Sequence, residues 1–173
     1  IGVGNDVAPA QKQSYTITIK SQTIDENGTS ELTEIDAKVI EEGTTDTYQI
    51  ILLQNHTITD VRTQDGNINV QLDGNDLLTL SNATGNDTII IVFTKDSYTV
   101  TLEVAGGVGG TLSFATGYSS KVYYGGTTSV VVTPASGYRF DFATGVALSN
   151  ASLTATQTAQ GFSVDNITSN LTI

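Results

Sequence analysis

The sequence of 173 residues contains no cysteine, no methionine and no tryptophan, and it has one histidine, His56. The lack of cysteine excludes disulfide bonds, thiolate nucleophiles and cysteine-bound metals. A single histidine excludes metal sites built from several imidazoles. Neither a G-x-S-x-G nucleophile elbow nor a glycine-rich phosphate loop occurs. The sequence therefore predicts a protein that is not an enzyme and that carries no cofactor.

Two pairs of adjacent carboxylates, Asp25–Glu26 and Glu41–Glu42, do not change this prediction. Neighbouring residues of a strand point to opposite faces, so neither pair can flank one scissile bond. A self-formed Lys–Asn cross-link would need a buried lysine, whereas Lys20 continues the polar face of Thr16 and Thr18.

Long apolar runs and basic clusters are absent as well. No stretch approaches the roughly 18 consecutive apolar residues that span a bilayer. The net charge is −11, and residues 1–96 carry 15 acidic and 5 basic side chains, against 3 and 2 in residues 97–173. Such a surface favours solubility and repels nucleic acid, so we expect no nucleic-acid partner and no membrane insertion. The absence of methionine indicates that an N-terminal segment was removed or that the chain is a fragment. Of these two we favour a mature exported chain, located outside the cell or on its surface.

Apolar and polar residues alternate with a period of two in several segments. From Tyr98 to Val104 the alternation is typical of a half-buried β-strand. Glycine-rich turns follow, and Thr111–Phe114 resumes the alternation, so these two segments are predicted to pair as a hairpin. A third strand, Thr127–Thr133, is closed by Pro134. No segment of ten or more residues has helical periodicity, and an all-β fold is predicted.

The second half of the chain repeats the first. Residues 14–19 match residues 97–102 at an offset of 83, and Gly43–Thr45 matches Gly126–Thr128 at the same offset. The pattern predicts two tandem small modules of β-sandwich or β-grasp-like type. A further match, at an offset of 84, relates residues 82–89 to residues 166–173. We place an extended N-terminal segment at residues 1–13, an acidic module at residues 14–95 and a neutral module at residues 96–173.

Module one is predicted to contain strands at Tyr15–Ile19, Tyr48–Leu53 and Thr88–Phe93, the last of them central because both of its faces are apolar. Tight hairpins are predicted to turn at Asp65–Asn67 and Asp73–Asn75. These clusters also resemble calcium loops, but their spacing suits hairpin turns, so no metal site is predicted.

Seven N-x-S/T sequons are present, whereas about 2.7 are expected by chance from 11 asparagines and 42 serines and threonines. The excess indicates a glycosylated exported protein, or it reflects a Thr- and Asn-rich β-protein without glycans. The candidate glycosylation sites are Asn27, Asn55, Asn82, Asn86, Asn150, Asn166 and Asn170.

Tyrosines are concentrated in module two, where their rings could stack on surface glycans while their hydroxyls stay hydrated. Because Tyr123 and Tyr124 point in opposite directions, at least one of them is predicted to be core. The candidate platform consists of Tyr118, Tyr123, Tyr124 and Tyr138.

The closing strand of module two is predicted to be about four residues shorter than that of module one. Its run, Asn170–Ile173, stops where module one continues from Ile90 to Phe93. Backbone and apolar groups of the neighbouring strands would then lack partners. The N-terminal segment has an extended character and apolar residues at alternate positions. The candidates for inter-subunit strands are therefore Ile1, Val3, Val7, Leu171 and Ile173.

Several marks of module two occur in a fixed order. They are Y-x-V-x-L at Tyr98–Leu102, a Gly-Thr turn at Gly110–Thr111, YGGTTSVVVTPASGYRF at Tyr124–Phe140 and the closing run Phe162–Ile173. This order resembles the divergent internalin-type B-repeat modules of bacterial surface proteins. The resemblance implies small β modules in tandem on secreted or envelope proteins, and it transfers no catalytic residue.

Module one shares fewer of these marks. It matches at Tyr15, at Gly43–Thr45 and in its closing strand, and it has Leu53–Thr57 in place of the T-P-x-x-G-Y turn.

Two functions are consistent with these observations. In the first, the chain is a non-enzymatic structural subunit of an extracellular filament or cell-surface assembly, and the start of one copy adds a strand to the next copy. Head-to-tail contacts of this kind do not close, so they give a homopolymer. In the second, the chain is a fragment of an adhesin stalk or of a virion decoration protein, its modules act as spacers or as a glycan-binding head, and the short last strand only reflects where the fragment was cut.

Overall fold

The computed structural model describes residues 9–173. Ile1, Val3 and Val7, three of the strand candidates, lie outside the described residues. The chain forms two compact units, divided between Thr94 and Lys95. The regular secondary structure of both is almost entirely β-strand, which confirms the predicted all-β class. Among the described residues, no helix is long and apolar enough to cross a membrane.

Unit 1 is a sandwich of two sheets. Its strands are β1 (Ser14–Asp25), β2 (Gly28–Thr29), β3 (Thr33–Glu41), β4 (Thr45–Gln49), β5 (His56–Thr63), β6 (Asn69–Leu72), β7 (Leu77–Ser81) and β8 (Asp87–Lys95). In the first sheet β8 lies between β1 and β5, and β2 and β3 pair with successive parts of β1. The second sheet has the order β4, β7, β6.

The core of unit 1 lies between these sheets. The alternation along β1 buries Ile17 and Ile19 completely. In β8 the whole run Ile89–Phe93 is buried, which confirms the predicted central strand. Leu78 and Leu80 of β7 complete the core from the second sheet.

Unit 2 is also a sandwich-like pair of sheets. Its elements are β9 (Ser97–Thr101), a 3-10 turn (Ala105–Gly107), β10 (Gly110–Phe114), β11 (Lys121–Tyr123), β12 (Gly126–Pro134), the helical turn α1 (Phe142–Gly145), β13 (Ala155–Gln157), β14 (Gly161–Ile167) and β15 (Leu171–Thr172). One sheet has the order β11, β9, β15, and the other has the order β10, β12, β14, β13. Val100, Val130, Phe162, Val164 and Leu171 are buried in the core that these sheets enclose.

The same strand pairing recurs in both units. β1 and β8 run parallel, with Ile17 opposite Asp87, and β9 and β15 run parallel, with Val100 opposite Leu171. These pairs are related by the offsets of 83 and 84 found in the sequence. β4, β7 and β6 likewise correspond to β12, β14 and β13.

The predicted match of Gly43 to Gly126 is wrong by one residue. Gly43 corresponds to Gly125, because both have left-handed φ angles, +76° and +74°, at the same point after β3 and β11. The same offset of 82 relates the buried residues Ile40 and Val122. Glycine adopts this conformation at little cost, so backbone conformation defines the equivalence better than the shared letters G-T-T do.

The predicted hairpin of residues 97–104 with residues 111–114 is also wrong. β9 ends at Thr101 and is flanked by β11 and β15, while β10 pairs with β12. Gly106 and Gly107, both at positive φ, carry the chain from one sheet to the other. The glycine turn is therefore a connection between sheets.

Two predictions for module one need a similar correction. β4 ends at Gln49, and beyond the buried Ile50 the run Ile51–Leu53 is an exposed loop in place of the predicted strand. The turn at Asp65–Asn67 joins β5 in one sheet to β6 in the other, so it does not make a hairpin. The next turn does, because β6 and β7 pair antiparallel on either side of residues 73–76.

Candidate functional site

An apolar groove of about 310 Å³ lies in unit 2. Its lining includes Leu112, Val132, Phe140 and Phe162, together with Ile173 from the closing segment. The charged residues in the lining are Glu103 and Arg139. We call this feature the unit 2 groove.

One wall of the unit 2 groove is the segment that follows β9. Residues 103–105 line it, and at the offset of 83 they correspond to residues 20–22 of β1. In unit 1 those β1 residues pair with residues 90–92 of β8. The groove therefore lies where, in unit 1, the second half of β8 packs.

A second part of the lining falls at the position of β5 in the chain order. It consists of residues 138–140, with Gly145 and Ala147. At an offset of about 83 this segment corresponds to β5, which is the other neighbour of β8 in unit 1. In unit 2 the segment forms α1 and coil in place of a strand. Both neighbours of β8 thus have counterparts in the walls of the groove.

Hydrogen bonds tie the closing segment to β9 as far as the groove. The N–H of Ile173 donates to the carbonyl oxygen of Thr101 at 2.9 Å, and the N–H of Glu103 donates to the carbonyl oxygen of Ile173 at 2.7 Å. Leu171 and Ile173, two of the strand candidates, are buried in the core of unit 2, with 2% and 9% of their surface exposed. The parallel ladder here has two residue pairs, against eight between β1 and β8.

The sequon asparagines lie at turns and strand ends. Four of them form two equivalent pairs in the repeat. Asn82 and Asn166 have left-handed φ angles of +54° and +56°, which asparagine tolerates better than most residues. Asn86 and Asn170 accept a backbone hydrogen bond from the first strand of their unit. Five of the seven are exposed, namely Asn27, Asn82, Asn86, Asn166 and Asn170, and Asn55 and Asn150 are half-buried.

The backbone roles of these asparagines weaken the argument for glycosylation from the excess of sequons. Because two structural positions occur twice, the seven sequons represent five independent positions, which lowers the excess over chance. The duplicated asparagines also have a structural purpose that does not require a glycan.

The tyrosines of the candidate glycan platform differ in environment. Tyr118 and Tyr138 are exposed, and Tyr138 lines the unit 2 groove. Tyr123 and Tyr124 are half-buried. The ring of Tyr124 packs 6.4 Å from that of Tyr98, and the ammonium of Lys121 lies 4.7 Å from the ring centroid of Tyr123.

The carboxylates in the calcium-like turns bind backbone groups. Asp73 accepts hydrogen bonds from the N–H groups of Leu77 and Asn75, at 2.9 and 2.8 Å. These bonds, with that of Leu77 contributing most, lower the pKa of Asp73 below its usual 3.8. Among residues 9–173, no three His, Cys, Asp or Glu side chains are grouped in a way that could hold a metal ion.

Asp87 fixes the other calcium-like turn. Its carboxylate is buried, and it accepts N–H groups from Asp65 at 2.9 Å, from Asn67 at 2.7 Å and from Thr88 at 2.7 Å. This carboxylate holds the chain where it crosses from β5 to β6, which explains why the turn does not form a hairpin.

The residues considered for catalysis occupy ordinary positions in unit 1. His56 Nδ1 lies 2.8 Å from the carbonyl oxygen of Gln54. Glu41 forms an exposed ion pair with Lys12 at 3.2 Å. Lys20 is half-buried, beside an irregularity in the pairing of β1 with β3.

Comparison of the chain with models of protein families, with curated proteins and with solved structures gives no match. The interpretation of the unit 2 groove therefore rests on the equivalence of the two units. The sequence predicted the short closing strand, but it did not identify residues 103–105 and 138–140 as walls. For residues 103–105 the offset of 83 could have identified the wall, because their counterparts, residues 20–22, pair with β8.

Proposed function

We propose that this chain is a non-enzymatic structural subunit of an extracellular or cell-surface filament, in which the N-terminal segment of one copy inserts as a strand into the unit 2 groove of the next. The equivalence of the groove to the place that the second half of β8 fills in unit 1 carries this proposal. Each copy would offer one donor segment and one groove, so the contact would repeat head to tail without closing.

The equivalence of the groove to the place of β8 indicates which kind of segment would enter it. The β8 residues that reach the core of unit 1 are Ile89, Ile91 and Phe93, at every second position. An inserted strand would need the same spacing of apolar side chains. Ile1 and Val3 have this spacing in the sequence and are separated by a glycine.

The proposal includes export, glycosylation and a relationship to internalin-type B-repeat modules. The absence of cysteine is compatible with any compartment, whereas the exposed sequon asparagines suit a chain that meets the glycosylation machinery. The order of strands and glycine turns in unit 2 supports the relationship. An adhesin stalk or virion decoration module remains the alternative, and it would use the groove differently or leave it empty.

Removal of the donor segment tests the proposal directly. A chain lacking residues 1–10 should remain a soluble monomer. A synthetic peptide of residues 1–10 should bind this chain and raise its Tm, because a ligand of the folded state stabilises that state. The peptide with Val3→Asp should give no shift, whereas Ala8→Asp, which adds the same charge on the other face of an extended strand, should keep most of it.

Two results would overturn the proposal. One is the formation of polymers of normal length by the chain that lacks residues 1–10. The other is an intact mass of the natural protein that shows further residues after Ile173, if those residues fill the groove of their own unit.

A further inference from the structure

β3 is an edge strand of unit 1. One of its edges pairs with β1, and no other strand among the described residues pairs with its outer edge. β3 has nine residues, whereas its counterpart β11 has three. An edge of this length presents a row of backbone donors and acceptors that another chain can use. The N–H of Ala37 donates to the carboxylate of Asp36 at 2.8 Å, and pairing would exchange that bond for one across the contact.

The residues of β3 suit a contact with a second copy. Val39 and Ile35 are 71% and 43% exposed, and Ala37 between them is exposed too. Asp36 and Lys38 alternate with these apolar residues and carry opposite charges. The strand therefore offers apolar side chains and both signs of charge within five residues.

Twofold symmetry limits how two β3 strands can pair. In two antiparallel strands, residues that oppose each other have their side chains on the same face of the sheet. A twofold axis between two copies of β3 must therefore pass midway between one residue and the same residue of the other copy. An axis at Asp36, or at Lys38, would oppose that residue to its own copy and bring like charges together. An axis at Val39 would leave both charges without an opposite charge across the contact.

An axis at Ala37 gives both the charged and the apolar side chains of β3 a favourable partner in the other copy. It opposes Asp36 of each copy to Lys38 of the other, and it opposes Ile35 of each copy to Val39 of the other. The small side chain of Ala37 lies at the centre, where the two strands are symmetric. This register places two pairs of unlike charges and two apolar pairs across the contact.

The length of the contact is set by the geometry of β3. Its pairing with β1 is regular from Asp36 to Glu41 and shifts at Ile35. Such an irregularity bends an edge strand, so regular pairing with a second copy would cover Asp36–Lys38, and the two Ile35–Val39 pairs would lie at the ends of the contact.

We infer that two copies of the chain pair antiparallel through β3, with Ala37 on the twofold axis, so that one sheet of unit 1 continues from copy to copy. This contact is separate from the unit 2 groove and does not depend on strand insertion. In a filament it would join subunits side by side.

Cysteine cross-linking of the full-length chain tests the contact and its register. Because the chain has no cysteine, one engineered thiol per chain can give nothing larger than a covalent dimer. Opposed residues have Cβ atoms about 4.5–5.5 Å apart, near the separation that a disulfide bridges. Ala37→Cys should therefore form the dimer at least about tenfold faster than Thr156→Cys on the edge strand β13, because pairing raises the effective thiol concentration.

Two outcomes of this cross-linking experiment would contradict the inferred contact or its register. Equal rates for Ala37→Cys and Thr156→Cys would overturn the contact. A faster rate for Val39→Cys than for Ala37→Cys would overturn the register, because Val39 faces Ile35 of the other copy when the axis lies at Ala37.

Charge exchange tests the specificity of the pairing. Asp36→Lys and Lys38→Asp, each added to the Ala37→Cys chain, oppose like charges when the variant pairs with itself, so each should cross-link several-fold more slowly. An equimolar mixture opposes unlike charges at both places and should form the mixed dimer, identified by its mass, at the original rate. Lys38 also forms an ion pair with Asp46 at 3.1 Å, and recovery in the mixture shows that both variants are folded. A mixture as slow as the separate chains would contradict the charge pairing.

Discussion

The side-chain oxygen of Asn86 accepts a hydrogen bond from the backbone N–H of Thr16 at 2.8 Å, although the two residues are 70 positions apart in the sequence. In unit 2, Asn170 accepts the N–H of Thr99 in the same way, at 2.9 Å. Each bond lies next to the first pair of the parallel ladder that joins the first and last strands of its unit. An asparagine thus fixes the start of this ladder in both units.

We expect Asn86→Ala to lower the free energy of unfolding of unit 1 by about 0.5–1.5 kcal/mol, the usual net value of such a hydrogen bond. Asn170→Ala should have a similar effect on unit 2. Asn86→Asp keeps an acceptor oxygen at the same place and should cost less. Urea denaturation followed by residue-resolved NMR measures both units. An equal cost for Asn86→Asp and Asn86→Ala would contradict the acceptor role.

Asp87 differs from its counterpart, Leu171, and the difference can be tested in both directions. Asp87→Ala removes the acceptor of three part-buried hydrogen bonds and should destabilise unit 1 by about 1.5–3 kcal/mol, with loss of hydrogen-exchange protection at residues 65–67. Leu171→Asp would bury a carboxylate that lacks those donors, so it should destabilise unit 2. Wild-type protection of residues 65–67 in Asp87→Ala would show that the carboxylate does not hold this turn.

Two aspartates should make unit 1 sensitive to acid. The pKa of Asp46 is lowered by the N–H of Thr47 and then by Lys38, and that of Asp73 is lowered by its turn. A carboxyl group with a folded pKa below its unfolded value stabilises the fold above the unfolded value. This contribution is lost as the pH falls through the folded pKa, so the stability of unit 1 should decrease below about pH 4.

Urea midpoints measured between about pH 2 and pH 6 follow this loss. Asp73→Asn should reduce the slope of stability against pH, because the amide does not titrate. The exposed substitution Glu34→Gln on β3 removes the same charge and serves as the control. An unchanged slope in Asp73→Asn would contradict the role of its turn hydrogen bonds.

Ile89 and Ile173 hold equivalent positions, but Ile173 borders the unit 2 groove. Ile89→Ala should destabilise unit 1 by about 2–5 kcal/mol, as expected for a well-packed core residue. Ile173→Ala should cost less, because its side chain borders the groove and is 9% exposed, whereas that of Ile89 is fully buried. If the peptide of residues 1–10 fills the groove, its addition should increase the cost of Ile173→Ala. A cost that is the same with and without bound peptide would place the peptide elsewhere.

The positions of strands could be predicted from the sequence more successfully than their partners. The alternation from Tyr98 to Leu102 is a local property, and so is the termination of β12 at Pro134. The partner of β9 could not be predicted from Gly106 and Gly107, because their left-handed conformations occur both in hairpin turns and in connections between two sheets. At residues 65–67 the buried carboxylate of Asp87 holds the chain in a connection between sheets. Asp87 is about 20 residues away in the sequence, so the residues near the turn did not predict this role.

The candidate site could be predicted in part. Comparison of the two repeats predicted that the run ending at Ile173 is shorter than β8. The walls of the groove required the structure, since residues 138–140 share no pattern with β5 and form no strand. The run Ile51–Leu53 shows the same limit, because three successive apolar residues occur in buried strands and, here, in an exposed loop.

The parallel ladder between β1 and β8 also sets how unit 1 bears tension. The chain enters this unit at the start of β1 and leaves at the end of β8, and parallel pairing places those points at opposite ends of the ladder. A pull on both points shears the two strands and loads eight residue pairs together, whereas a hairpin opens one pair at a time. The ladder of unit 2 has two pairs. If load is applied through β9 and β15, we therefore expect unit 2 to yield at a lower force than unit 1, and a strand seated in its groove would reinforce the ladder that resists the pull.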